Sequence, residues 1–103
     1  MRVRAEDITV EGEMRTWVRE GSRGTMRCEF CPECGTRMFH IRPGSFNVKG
    51  GTFDDRSWMR PAGHIWAGSK QPFFAIAAGE ISYERQPPDY DALTARWRQM
   101  TGA

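Results

Sequence analysis

The chain has 103 residues and a formal net charge of +2, with 39% hydrophobic and 27% charged residues. This length predicts a single domain spanning residues 1–103, and the composition is that of a soluble globular protein. No apolar run approaches the roughly 18 residues of a membrane span. Residues 1–7 lack the apolar segment of a signal peptide, so we expect a cytoplasmic protein without a membrane partner.

The charges are scattered along the sequence. Fifteen basic residues stand against 13 acidic ones, and the arginines alternate with glutamates instead of forming one basic stretch. A phosphate-binding surface needs clustered positive charge. We therefore predict no nucleic-acid partner.

The first part of the chain alternates between apolar and polar residues, which is typical of half-buried strands. One such segment runs over Ile8–Val18, with Gly12 as a bulge or bend, and another over Thr25–Phe30. The turn residues of Gly21–Gly24 lie between them. This pattern predicts a hairpin of two long strands.

Shorter strands and one helix are predicted for the rest. The strand segments are Arg37–Ile41, Phe46–Lys49, His64–Ala67 and Phe73–Ala77. The helical face consists of Tyr90, Leu93, Trp97 and Met100. Asp89 or Asp91 can cap this helix, and Gly102 ends it. The predicted fold class is all-β, with mainly short antiparallel strands and one C-terminal α-helix.

The cysteines are the most informative residues. Cys28, Cys31 and Cys34 lie within seven residues, and an odd count without a signal peptide does not favour a secreted disulfide scaffold. The segment Cys31–Gly35 reads CPECG, and two thiolates at this spacing can bind one zinc ion. The alternative is a pair of redox-active or inert thiols, which can also form a disulfide.

A structural zinc needs four ligands, and the sequence offers no second cysteine pair. Cys28 is three residues from Cys31, about 10 Å along an extended strand. We therefore expect Cys28 to be a small buried core residue. His40 is expected to pack at a sheet edge or lie exposed, and the role of His64 stays open.

Two adjacent carboxylates, Asp54 and Asp55, follow a glycine pair. Adjacent acids can bind a cation or act in acid–base chemistry. A turn with side-chain hydrogen bonds to the backbone is the simpler interpretation, and the sequence favours it.

Four segments carry motif residues: Phe30–Thr36, Gly51–Asp55, His64–Trp66 and Ser69–Pro72. Their order and approximate spacing resemble those of the glutathione-dependent formaldehyde-activating enzyme family, which includes the centromere protein V group. The resemblance implies an all-β zinc-binding fold sometimes called a β-tent. It also implies a carbon–sulfur lyase that forms S-hydroxymethylglutathione from formaldehyde and glutathione, although many members have no established substrate.

The resemblance also implies metal ligands. In the family, an early Cys-x-Cys and a late Cys-x-x-Cys bind a structural zinc, and Cys31 and Cys34 match the late pair. A Cys-x-Cys-x-x-Cys element binds the catalytic zinc. This sequence has neither early element. We expect that Met1 is an internal methionine of a longer parent, or that the parent gene lost its first half. Asp54, Asp55 and His64 match family motifs without an assigned role.

Three functional hypotheses follow. The first is a zinc lyase that acts on a glutathione adduct or another small molecule. The second is a non-catalytic zinc-stabilised interaction module, including a homodimer in which two chains share a four-cysteine zinc site. The third is a metal-free chain with a disulfide between Cys31 and Cys34.

Overall fold

The computed structural model describes residues 1–102. These residues divide into two compact units, Met1–Trp58 and the residues from Met59 onward. Each unit is described by itself below. Among the described residues, no helix combines the length and the apolar composition needed to cross a membrane.

The first unit contains one five-stranded sheet. Its strands are β1 (Arg2–Arg4), β2 (Arg15–Gly21), β3 (Gly24–Phe30), β4 (Arg37–Arg42) and β5 (Ser45–Val48). They lie in the order β1-β5-β4-β3-β2, and every neighbouring pair is antiparallel. Together with one C-terminal helix, this sheet confirms the predicted all-β fold class.

The buried apolar residues of this sheet lie on β3 and β5. They occupy both of its faces, because Val48 pairs with Phe39, Phe39 pairs with Glu29, and Glu29 points away from the face of its neighbour Cys28. Met26, Cys28 and Val48 are buried, and Cys28 has an exposed fraction of 0%. Met26 and Cys28 are two residues apart on β3, so their side chains share one face of the sheet. The Phe39 and Phe46 rings pack edge to face, with centroids 5.8 Å apart. The prediction that Cys28 belongs to the core is confirmed.

The prediction for β2 is partly wrong. The strand begins at Arg15, whereas residues 8–14 form no strand, and every residue of β2 is exposed. The exposed fractions of Trp17 and Val18 are 54% and 50%. β2 is an edge strand that pairs only with β3 in the sheet. Its side chains lie at the surface, and the Arg37 guanidinium lies over the Trp17 ring, 5.9 Å from its centroid. An alternating sequence indicates which residues share a face, but not whether that face is covered.

The second unit has little regular structure before its helix. β6 (Gly63–His64) and β7 (Ile81–Ser82) form a two-residue parallel pair. The predicted strand from His64 to Ala67 is wrong beyond its first residue, because Trp66 adopts a left-handed conformation with φ 57° and a 3-10 turn follows at Ala67–Ser69.

The predicted strand at Phe73–Ala77 is also wrong. No strand forms there, and the exposed fraction of Phe73 is 86%. Pro72 precedes this segment and cannot donate a ladder hydrogen bond. An apolar run of this length does not by itself show that another element packs against it, and Phe73 lies at the surface.

The C-terminal helix is confirmed. α1 spans Asp91–Thr101, and the Asp89 carboxylate accepts a hydrogen bond from the backbone N–H of Asp91 at 3.0 Å. Gly102 ends the helix with φ 73°, and its N–H donates to the carbonyl of Arg98 at 2.8 Å. The helix and its end at Gly102 match the prediction, whereas the predicted cap is wrong, because Tyr90 is the N-cap residue and its side chain forms no cap hydrogen bond.

Candidate functional site

The candidate site is the loop between β3 and β4, here called the knuckle and defined as residues Cys31–Thr36. The Cys31 N–H donates to the Thr36 carbonyl at 2.9 Å, and the Gly35 N–H donates to the Cys31 carbonyl at 2.9 Å. Gly35 has φ +76°, a conformation that glycine adopts without the steric cost of a Cβ atom. The chain therefore reverses within six residues, and both cysteines lie on the same turn.

The two thiols of the knuckle are accessible. Cys34 is exposed and Cys31 is partly exposed, and both are free thiols in this structure. The Cys34 Sγ lies 3.1 Å from the Thr36 hydroxyl. Hydrogen bonds from the side chain and then the backbone of Thr36, followed by one from the Cys31 thiol, lower the pKa of Cys34. These contacts favour the thiolate, which is the metal-binding form of cysteine.

Arginines flank the knuckle where it leaves the sheet. Phe30, the residue before Cys31, pairs with Arg15 on β2 and with Arg37 on β4. The register shifts at this point, because Glu29 pairs with Phe39 while Phe30 pairs with Arg37, so β4 contains one extra residue. Such a bulge bends the strand and increases its twist. Cationic residues thus lie on both strands beside the knuckle.

His40 is not at a sheet edge, contrary to the prediction. It is half-buried on β4, an interior strand, and its Nε2 lies 3.1 Å from Nη1 of Arg37. Burial, and then the positive charges of Lys49, Arg37, Arg19 and Arg42, lower the pKa of His40. The ring nitrogen already has Arg37 as its neighbour, so the structure does not bring His40 into the knuckle.

Residues 1–102 do not form a complete zinc site within one chain. Among residues 1–102, no group of three or more His, Cys, Asp or Glu residues is placed to hold a metal ion. Cys28 is fully buried in the sheet, and His40 contacts Arg37. A structural zinc site has four protein ligands, whereas the knuckle supplies two. The donor set is chemically suited to zinc, but it is half of a site.

The paired carboxylates form a turn. The Asp55 Oδ1 accepts hydrogen bonds from the Ser57 backbone N–H at 2.9 Å and from the Ser57 hydroxyl at 2.7 Å. These two hydrogen bonds lower the pKa of Asp55. Asp54 is exposed beside it. The geometry matches the turn interpretation favoured by the sequence, and it does not bring the two carboxylates into a metal-binding group.

His64 belongs to the second unit. Its Nε2 contacts the Glu80 carboxylate, and its ring packs against Phe74 with centroids 5.9 Å apart. The sequence did not indicate Glu80, which is 16 residues further along the chain. No local pattern joins these two residues, so only the fold could identify the pair.

A second feature that the sequence did not indicate is a concave surface on the first unit, lined by Arg23, Arg27 and Arg42. The Arg42 Nη1 donates to the Arg23 carbonyl at 3.0 Å, and Arg27 forms an ion pair with Glu29 at 2.8 Å. Strand register places this surface near the β2–β3 turn, at the opposite end of β3 from the knuckle. The arginines are scattered in sequence and meet only through strand pairing.

Comparison with known proteins gives one match. Residues 1–69 match the profile of the family described as glutathione-dependent formaldehyde-activating enzyme. This region is about two thirds of the chain and contains the whole first unit, including the knuckle. No curated protein and no solved structure matches the chain significantly.

Proposed function

The chain belongs to the glutathione-dependent formaldehyde-activating enzyme family, and we propose that it binds zinc through Cys31 and Cys34 as a protein of this carbon–sulfur lyase type. The observation that carries the proposal is the knuckle. Its two hydrogen bonds and the left-handed Gly35 hold two accessible thiols on one turn, inside the region that matches the family. Thiolates are the ligands that select zinc over harder cations such as Mg²⁺.

The proposed substrates are a thiol and an aldehyde, or their adduct in the reverse direction. In the reaction named by the family, the glutathione sulfur bonds to the carbonyl carbon of formaldehyde, and the thiol proton ends on the carbonyl oxygen. When bound, zinc supplies a Lewis acid for such chemistry. In this chain, Cys31 and Cys34 would hold the ion. No described group contributes a third ligand, so we expect this chain alone to have little lyase activity.

The second candidate function is a non-catalytic zinc-stabilised interaction module. Two observations favour it. The first is the incomplete ligand set, and the second is the exposed edge strand β2, on which Trp17 and Val18 are about half exposed. Exposed strand edges and apolar side chains are common sites of protein association.

Zinc analysis of the purified full chain tests the proposal. We expect the wild-type protein to retain zinc after dialysis against metal-free buffer, and Cys31→Ser and Cys34→Ser to lose it. Cys28→Ala is the matched control, since Cys28 is a buried cysteine outside the knuckle. Circular dichroism checks that each variant is folded.

The outcomes separate the candidate functions. Wild-type protein that binds no zinc, or knuckle variants that keep it, would contradict the proposal. A glutathione–formaldehyde assay on the zinc-loaded protein then distinguishes the two functions. Zinc with formation of S-hydroxymethylglutathione supports the lyase, and zinc without it supports the interaction module.

A further inference from the structure

The knuckle supplies fewer ligands than a structural zinc ion needs. Cys31 and Cys34 supply two sulfur ligands, and among residues 1–102 no third ligand lies with them. Tetrahedral zinc with two protein ligands leaves two positions for water, whereas structural sites are closed by four protein ligands. A second pair of thiolates, held on an identical turn, would close the site.

We propose that a second copy of this chain closes the site, so that Cys31 and Cys34 of two chains bind one zinc ion. This inference rests on the proposed zinc binding and adds the identity of the missing ligands. Four thiols lose four protons as the ion binds, and the product is a zinc tetrathiolate. The two chains are related by a two-fold axis through the zinc, which makes the interface self-complementary.

Accessibility of the thiols permits this arrangement. Cys34 is exposed and Cys31 partly exposed, and neither is engaged in a disulfide. The neighbouring Pro32, Glu33 and Gly35 are exposed too. A zinc–sulfur distance of about 2.3 Å requires close approach of two knuckles, and no buried side chain of the loop has to move to allow it.

Charge complementarity favours the second copy. A zinc ion with four thiolates has a formal charge of −2. Each knuckle contains Glu33, and Phe30 at its base pairs with Arg15 and with Arg37. Two arginines against one glutamate leave a net positive charge beside each knuckle, opposite in sign to the charge of the tetrathiolate. Without the metal, the same charges repel one another, and close approach of the two knuckles is disfavoured.

A different dimer, formed by the exposed edges of β2, is geometrically incompatible with this site. Antiparallel pairing of two β2 strands centred on Val18 would place each Arg15, and the knuckle beside it, about 10 Å from the axis on opposite sides. The two knuckles would then be about 20 Å apart, too far to share one ion. Val18→Glu, which puts a charge on this edge, is therefore a control that should not affect zinc-dependent association.

The experiment measures mass and zinc content together on the full chain. With added ZnCl₂, sedimentation should give twice the 11.8 kDa chain mass with one zinc per two chains, and EDTA should restore the monomer. Co²⁺ in place of zinc should give the visible spectrum of a tetrahedral tetrathiolate. Cys31→Ser and Cys34→Ser should stay monomeric at the same zinc concentration, and Val18→Glu should dimerise like the wild type.

Three results would overturn the inference. A monomer with one zinc per chain and a Co²⁺ spectrum of two thiolates would show that water completes the coordination, and the proposed function would stand. A dimer that persists in EDTA or in Cys34→Ser would show that other surfaces associate. A chain that binds no zinc would overturn both this inference and the proposed function.

Discussion

Gly35→Ala tests whether the knuckle is already formed in the metal-free chain. Gly35 has φ +76°, and a Cβ atom at this position would meet nothing within 4 Å. The substitution therefore adds backbone strain without a steric clash. For a residue other than glycine, the left-handed conformation costs about 1–2 kcal/mol. We expect the free energy of unfolding to fall by about that amount, measured by urea denaturation with circular dichroism in EDTA.

Two glycines provide matched controls. Gly44, in the turn between β4 and β5, has the same φ of +76° and the same open surroundings, so Gly44→Ala should cost as much as Gly35→Ala. Gly51 also has open surroundings but no positive φ, and Gly51→Ala should change stability by less than about 0.5 kcal/mol. If Gly44→Ala is destabilising and Gly35→Ala is not, the left-handed turn is not maintained without metal, and the knuckle is not a preformed half-site.

Three further substitutions test the remaining structural interpretations. In Gly63→Ala, the new Cβ would lie 2.5 Å from Leu93 Cδ2 and 2.8 Å from the Ile81 carbonyl oxygen, so urea denaturation should show a loss of about 1–3 kcal/mol. In Cys28→Ser, a hydroxyl replaces a fully buried thiol, which should cost about 1–3 kcal/mol in the same measurement while zinc content per folded chain is unchanged. For His40, the pKa is lowered in the folded state, so the unfolded chain takes up the proton first as pH falls. The neutral histidine's contribution to the free energy of unfolding is complete above the unfolded-state pKa of about 6.5. This contribution declines as pH falls from there towards the folded-state pKa. His40→Gln should therefore reduce the loss of stability between pH 7.5 and pH 5.5, and an unchanged loss would contradict this role.

The sequence predicted those features whose physical cause is local. Hydrogen bonds between residues at most five apart hold the knuckle, and the predicted periodicity and Gly102 define α1 and its end. By contrast, the contact between His64 and Glu80 and the concave arginine surface depend on strand pairing. No alternation or motif in one sequence specifies which distant residues are brought together.

The exposed strand β2 shows that sequence alternation alone does not predict burial. Its alternation resembles that of a buried strand, but coverage of its faces depends on elements that lie far away in sequence or in another chain. The hydrophobic pattern alone cannot distinguish a covered face from an uncovered one. For Val18, the pattern predicted a place on the buried face of the strand, and the structure shows its side chain about half exposed.

The dependence of zinc binding on chain concentration provides a final test of the shared site. If Cys31 and Cys34 of two chains bind one ion, dilution of the protein at constant free zinc favours separate chains and releases the metal. A site completed within one chain would keep the same occupancy at every protein concentration, because binding then depends on free zinc alone. We therefore expect the bound fraction of zinc to fall on dilution for the wild type and equally for Val18→Glu, measured with a zinc indicator at fixed free zinc. Occupancy independent of dilution would mean that the other ligands do not come from a second chain.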